Sequence, residues 1–361
     1  MSENTKIEWC DHTFNPWVGC TQISPACDNC YAKAWDQRFF SGPSLHWGAG
    51  VARKRTKTWG DPVKWNKSNF YECSVCGWRG CDKDDEFSRP KKGCIHILAP
   101  ARQRVFCASL ADVFDNEVDP KWRADLFRLI DDTQNLDWLL LTKRVGNADD
   151  MMFEARQQLL MPDEIDLPVI WPNLWLGATI CNQEEADRDI PKLLAVPAHK
   201  RFLSMEPLLG PVDVSKYMWP VHPRWPAKYK TPKEALADGA EVTYHRQALI
   251  SRDWADHLVN WVIVGGESGS NARPMHPDWA RSLRDQCEAA GVPFLFKQWG
   301  EWISTDQEPQ PYGGPLSRWM WADGSAFLAG DGQRAMPLFC KVGKKAAGRL
   351  LDGREWNGVP A

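Results

Sequence analysis

Apolar residues in this chain fall into short continuous runs separated by stretches of helical period. Arg104 to Ala108, Leu136 to Leu141, Asn173 to Thr179, Arg201 to Ser204, Trp261 to Val264 and Pro293 to Phe296 each have the length and content of a buried strand. Ile7 to Val18 supplies a first strand and its exit. Between these runs, Pro120 to Asp132 carries Trp122, Leu126, Leu129 and Ile130 at helical spacing, and Tyr31 to Phe40, Val145 to Leu160, Gln183 to Ala195 and Pro277 to Ala290 also read as helices. Fully apolar strands alternating with helices predict a parallel sheet covered on both faces. The expected fold is α/β: a parallel (β/α) barrel, full or partial, with an open doubly wound sheet as the rival.

Polar residues follow the apolar runs directly: Ser109 and Asp112, Thr142 with Lys143 and Arg144, Thr179, Glu206, Glu267 with Ser268, and Lys297 with Gln298. In a parallel barrel these strand ends share one face, so the groups would ring a common site. The rhythm is interrupted over 66–103 and 211–256. The barrel is therefore assigned to 1–300 with two insertions, and 301–361 to an extension packed on it. In the second insertion, Trp219, Pro220, Pro223, Trp225, Pro226, Tyr229 and Pro232 oppose regular structure apart from a short helix over Pro232 to Asp238, as in a lid. A hairpin around Asp323-Gly324 is expected within Trp319 to Phe327.

Two cysteine groups carry candidate chemistry. Cys20, Cys27 and Cys30 lie within eleven residues, on a stretch that Pro16, Gly19, Ser24 and Pro25 keep out of helix and strand. Three thiolates from one short loop suit a soft metal centre and leave a coordination position for something other than protein. The bland alternatives are buried thiols, or a structural zinc completed by Cys10 or His12. Farther on, Cys73-Ser74-Val75-Cys76-Gly77 has the form of a zinc knuckle; Cys94 is the expected third ligand and Cys81 or His96 the fourth. The charged run Asp82 to Glu86 could hardly fold without such a staple. The zinc would be structural, since four protein ligands leave no open position; mobile reduced thiols are the alternative.

Charge narrows the choice of partner. Across 361 residues the formal net charge is −3, so nucleic-acid binding would need a local patch. Val51 to Phe70 offers one: Arg53, Lys54, Arg55, Lys57, Lys64 and Lys67 interleave with Trp59 and Trp65 against the single acid Asp61. A solvated face is the competing reading. Most of the 21 tryptophans belong to core and loop packing. No apolar run approaches a membrane span and no signal core opens the chain, which predicts a reducing cytoplasmic setting where clustered cysteines bind metal. Cys107, Cys181, Cys287 and Cys340 read as buried thiols.

Asn15-Pro16-x-x-Gly19-Cys20, a longer gap, and then Cys27-x-x-Cys30-Tyr31-Ala32 resembles the cluster loop of radical SAM enzymes related to spore photoproduct lyase. It is more similar still to a phage- and prophage-borne three-cysteine-motif family grouped with them. That likeness runs nearly end to end through Val105 to Phe114, Leu140 to Arg144, Ser204 to Leu208, Gly265 to Gly269, Phe296 to Gly300 and Gly348 to Gly353. One departure is that six residues separate the first two cysteines, where the usual radical SAM loop has three.

The resemblance implies a 4Fe-4S cluster on Cys20, Cys27 and Cys30 whose fourth iron is chelated by S-adenosylmethionine, and a 5'-deoxyadenosyl radical that takes hydrogen from a substrate. Gly265-Gly266-Glu267 resembles the segment that holds the methionyl end of that cofactor, although it follows a late strand here. Glu206 and Ser109 join it as candidate cofactor contacts, and Arg53, Lys54, Arg55, Lys57, Trp59, Lys143 and Lys297 are the candidate substrate contacts. The implied substrate is a nucleobase in DNA or a nucleotide, with an external electron donor, in the host cytoplasm if the chain is phage-encoded. A free metabolite is the enzymatic rival. A zinc-stapled protein that binds nucleic acid or a partner without turnover is the non-enzymatic one. A hydrolase using Glu206, Glu267 and a divalent ion would leave the cysteine loop unexplained.

Overall fold

The computed structural model describes residues 5, 7–40, 46–82, 84, 94–95, 97–159, 171–218, 258–307, 319–320 and 339–360. All seven expected strands form, and they form one parallel sheet. In chain order they are β1 (His12–Phe14), β7 (Gln103–Cys107), β8 (Leu136–Thr142), β9 (Leu174–Thr179), β10 (Lys200–Met205), β11 (Trp261–Gly265) and β12 (Phe294–Gln298), each paired with the next. This sequential order winds in one direction only, which removes the doubly wound alternative. The connecting helices are α1 (Tyr31–Phe39), α3 (Pro120–Asp132), α4 (Ala148–Gln157), α5 (Gln183–Ala195) and α6 (Pro277–Ala290), with the short α2 (Asp61–Trp65) inside the first connection. Their starts are specified locally: Asp119 and Asn182 cap α3 and α5, and Pro120 and Pro277 occupy first turns where a missing N–H costs nothing.

Side chains alternate across the sheet. Val105, Cys107, Trp138, Leu140, Leu174, Leu176, Leu203, Met205, Val262, Val264, Phe294 and Phe296 join the large core beneath the helices. The opposite face sends Phe106, Leu139, Trp175, Phe202, Trp261, Ile263 and Leu295 into a second cluster around Trp9 and Cys10. The Trp9 ring lies 4.6 Å from Phe106 on β7 and 6.2 Å from Trp261 on β11. In a flat sheet those strands would be about 19 Å apart. One indole reaches both because the sheet curls around it, consistent with a partial (β/α) barrel. Gly177 is required inside this curl, since a Cβ there would lie 2.3 Å from the Phe202 ring.

Among the described residues no ladder joins β1 to β12. Instead Trp356 and Gly358 cover the outer edge of β12: Phe296 N donates to Trp356 O at 3.0 Å and Gly358 N to Phe294 O at 2.9 Å. The extension also builds a three-stranded antiparallel sheet from β13 (Trp302–Ser304), β14 (Trp319–Met320) and β15 (Phe339–Lys341), followed by α7 (Lys344–Ala347). The Asp323-Gly324 hairpin lies outside the described residues; Trp319 and Met320 pair with Cys340 and Phe339.

The first insertion has more regular structure than its sequence suggested, with β4 (Phe70–Cys73), β5 (Arg79–Cys81) and β6 (Leu98–Pro100) forming a small antiparallel sheet centred on β4. The second begins later than expected. Val212, Val214, Tyr217 and Met218 are buried in the main core, and residues 219–257, with the helix assigned to Pro232 to Asp238, lie outside the described residues. No helix among the described residues is long and apolar enough to cross a membrane.

Candidate metal centre at the mouth of the barrel

The cysteine loop leaves the C-terminal end of β1, as the strand assignments predict. Asn15 anchors its start: Oδ1 accepts from Leu110 N at 2.7 Å and Nδ2 donates to Ser109 Oγ at 3.0 Å. A two-residue ribbon follows, in which β2 (Trp17–Val18) pairs with β3 (Lys54–Arg55). Gly19 has φ of +112°, and a Cβ there would stand 2.2 Å from the His46 carbonyl oxygen, so only glycine lets the chain turn into Cys20 at this point. Ser24 then starts a single helical turn over Pro25–Cys27. Its hydroxyl accepts from Ala26 N at 3.0 Å and donates to the buried Glu185 of α5 at 2.6 Å. Cys30 stands at the cap position of α1.

Two arginine systems hold this loop from opposite sides. Arg273 donates to Pro25 O at 2.9 Å and to Asp28 Oδ2 at 3.0 Å, and it occupies both carboxylate oxygens of buried Glu267 at 2.8 and 2.5 Å. On the other side, Arg144 Nη2 donates to Thr21 O at 2.6 Å and Nη1 to Cys20 Sγ at 3.3 Å. Arg144 pairs with Asp112 at 3.3 Å and Asp115 at 3.8 Å. Asp115 also takes Arg53 at 2.7 Å, and Arg53 donates to Thr21 Oγ1 at 2.7 Å. Burial pushes the Cys20 thiol up to about 12, with the Asp112 charge adding to the rise and the Arg144 guanidinium opposing it.

Deeper in the mouth, Glu206 accepts from Lys297 Nζ at 2.6 Å and from Gln298 Nε2 at 2.7 Å. Gly265 leaves room for the Glu206 side chain, whose carboxyl carbon would lie 3.2 Å from a Cβ there, while Gly266 lies against the Trp299 backbone. Ser109 O accepts from the Tyr31 hydroxyl at 2.5 Å, which fixes an exposed aromatic ring beside Cys30. Thr179 Oγ1 and Gln298 Oε1 are buried with no hydrogen-bond partner among the described residues.

The second cysteine group is arranged differently. Cys73, Cys76 and Cys94 offer sulfurs all within 4.8 Å of one another, and among the described residues they are the one such group that could hold an ion. Gly77, at φ +68°, closes the knuckle by donating to Cys73 O at 2.9 Å. Burial alone would raise the Cys73 thiol, but the N–H groups of Cys76 and Val75 and the Cys76 and Cys94 sulfurs pull it down to about 7. Cys81, expected as a possible fourth ligand, is outside this group. It pairs with Phe70, three residues along β4 from Cys73 and so about 10 Å away. His96 lies outside the described residues.

A family model described as "Protein of unknown function (DUF5131)" matches residues 4–360. The chain is a DUF5131 protein. No curated protein and no solved structure matches it.

In this DUF5131 chain the basic-aromatic segment divides. Arg53 is corrected from a substrate contact to an internal one: its side chain is fully buried, and the Asp115 carboxylate, the Thr21 hydroxyl and the His46, Gly48 and Val51 carbonyls take its donors. Trp59 packs edge-on against Phe14 at 5.7 Å, and Trp65 stacks on His12 at 4.2 Å, so both belong to the core. Lys54 and Lys57 remain exposed, with Lys54 over the Phe40 ring, and Arg55 lies 4.2 Å over Trp59 while pairing with Asp125 at 2.7 Å. Lys143 is half-buried beside Asp112, to which its backbone N–H donates at 3.1 Å. In the sequence Asp112 and Arg144 had only a place on the ring and Tyr31 only a place in the motif, while Asp115 and Arg273 were not marked. Arg144 stands two residues past the β8 end; Arg273 has a local partner in Glu267, six residues earlier, but its contacts with the cysteine loop lie some 245 residues away and leave no local mark.

Proposed function

We propose that this DUF5131 protein is a radical SAM enzyme whose Cys20, Cys27 and Cys30 hold a 4Fe-4S cluster and whose co-substrate is S-adenosylmethionine. One observation carries the reading. The three cysteines lie on one loop that leaves the C-terminal end of β1 at the mouth of a curled parallel sheet, and Arg144 and Arg273 hold that loop from two sides. Three thiols from one loop match the ligand count of a cluster that leaves one iron open to a co-substrate. A lone zinc would instead gather four ligands, its sulfurs about 3.8 Å apart, the edge of a tetrahedron with 2.3 Å arms.

When bound, the cluster and its co-substrate supply hydrogen-atom abstraction; the chain supplies position and exclusion. Glu206 and Lys297 offer a carboxylate and an ammonium to the amino and carboxylate ends of a ligand, with Gly265 clearing the approach. Glu267, already held by Arg273, acts through the loop that Arg273 fixes. The exposed ring of Tyr31 and the unpaired Thr179 hydroxyl add a planar surface and a hydrogen-bonding group at the mouth. Lys54, Arg55 and Lys57 lie on and just after the ribbon that feeds into Cys20, which favours a nucleobase in DNA or a nucleotide as substrate. At the knuckle, the 3.8 Å between the Cys73 and Cys94 sulfurs matches the tetrahedral edge, and a structural zinc there is the second part of the proposal.

Metal analysis of protein purified without oxygen tests both parts. The expected result is about four irons and about one zinc per chain, with 5'-deoxyadenosine released on adding S-adenosylmethionine and a reductant. Two zincs, no iron and no cleavage would sink the enzyme reading and leave a zinc-stapled binding protein.

A further inference from the structure

We infer that Asp112 and Arg144 form a two-sided lever on the reduction potential of the centre held by Cys20, with Arg144 raising it and Asp112 lowering it. The inference rests on the proposed cluster and concerns the chain's own charges. Among the described residues, Arg144 is the charged hydrogen-bond donor to a loop sulfur, at 3.3 Å. It cannot swing away freely. Its second nitrogen is fixed on Thr21 O, Asp112 and Asp115 lie on it at 3.3 and 3.8 Å, and its side chain is 7% exposed. At that burial its field reaches the sulfur with little screening.

The surrounding charges make the lever balanced. Arg53, Asp115, Arg144 and Asp112 form a buried array of two cations and two anions. Asp112 is itself fixed, accepting from Thr142 Oγ1 at 2.7 Å, Phe114 N at 3.0 Å and Lys143 N at 3.1 Å. The array is therefore neutral in sum but polar toward Cys20. Reduction adds one negative charge next to that sulfur without moving a proton. A guanidinium hydrogen-bonded to the sulfur favours the reduced form, and a neighbouring carboxylate disfavours it. Both side chains are buried beside Cys20 and act through that ligand, so they are positioning residues.

The test is a dye-mediated titration with dithionite, followed by electron paramagnetic resonance, on anaerobically reconstituted protein. Each chain takes up one electron. Arg144→Met should shift the oxidised-to-reduced ratio at fixed potential at least tenfold toward oxidised, a midpoint about 59 mV more negative. Arg144→Gln, which keeps a donor but no charge, should shift it in the same direction by less. Arg144→Lys should stay near wild type, and it carries the measurement if the neutral variants bind iron poorly. Asp112→Asn should shift the midpoint the other way. A merely structural role would lower iron content or stability without opposite shifts. Full iron with an unmoved midpoint in Arg144→Met, or with both variants moving in one direction, would overturn the lever alone. Wild-type protein that binds no iron would overturn it together with the proposed function.

Discussion

The two cysteine groups use the same side chain under opposite conditions. Around Cys73 the sulfurs are gathered and backbone N–H groups point at them, so the thiol falls to about 7. Around Cys20 burial and the Asp112 carboxylate dominate, and the thiol rises to about 12. The knuckle sulfurs could hold one ion between them; at the loop, any metal would have to displace the Cys20 proton. Thiol spacing in the sequence separates the two only weakly. What distinguishes them is what surrounds the sulfurs: a tight turn in one case, a frame of buried arginines in the other.

The largest expected effect is on metal content. Cys27→Ala should abolish iron binding and leave zinc unchanged, whereas Cys76→Ser should remove zinc and leave iron; parallel metal analysis of the two variants checks this. If either change empties both sites, the groups are not independent and the comparison fails. Next in size is the frame itself. Asp115→Ala strands the fully buried Arg53 and one side of Arg144, and it should cost about 3–5 kcal/mol in denaturant unfolding. A loss under about 1 kcal/mol would mean the frame does not set the loop.

A third measurement reads the thiols directly in metal-free protein. Thiolate absorbance assigned to Cys73, as the difference from Cys73→Ser, should rise as pH passes about 7, while Cys20, read against Cys20→Ser, should stay a thiol through pH 9. The sign for stability follows. A thiol lowered from 9.0 to about 7 in the folded chain adds stability above pH 9, and that contribution is lost as pH falls through 7. The metal-free insertion should therefore loosen on acidification, seen as faster amide exchange in β4. The smallest effect concerns the Asp352 carboxylate, held well below the usual range by Arg281 with Gln307 and Arg284 adding to it. Asp352 is bonded to Arg281, Arg284 and Gln307 and to neither cysteine loop, so Asp352→Asn should cost about 1 kcal/mol or less and leave metal content as in wild type. Its stabilisation is present above the ordinary carboxylate range and fades as pH falls below it.

The barrel was legible in the sequence because continuous apolar runs and helical periods are local signals. The α3, α5 and α6 boundaries fall where composition and caps put them, each of the six apolar runs became a strand of the parallel sheet, and His12–Phe14 within Ile7 to Val18 supplied the seventh. The cysteine loop was equally visible. What escaped was pairing at a distance. A run such as Arg53 to Trp65 looks like an electrostatic surface until folding brings Asp115 to Arg53 and His12 to Trp65. Cys81 looked like a ligand by count, and the strand register alone carries it away from Cys73.

The grip of Arg273 on Pro25 and Asp28 bears on timing. Those contacts span 248 and 245 residues, while the sheet beneath is assembled from neighbours in sequence. Long loops close late. The three cysteines come early in the chain and Arg273 follows β11, so the contacts that fix their loop need about three quarters of the chain in place. A chain interrupted before that arginine would carry all three loop thiols and still lack the contacts that hold their loop at Pro25 and Asp28.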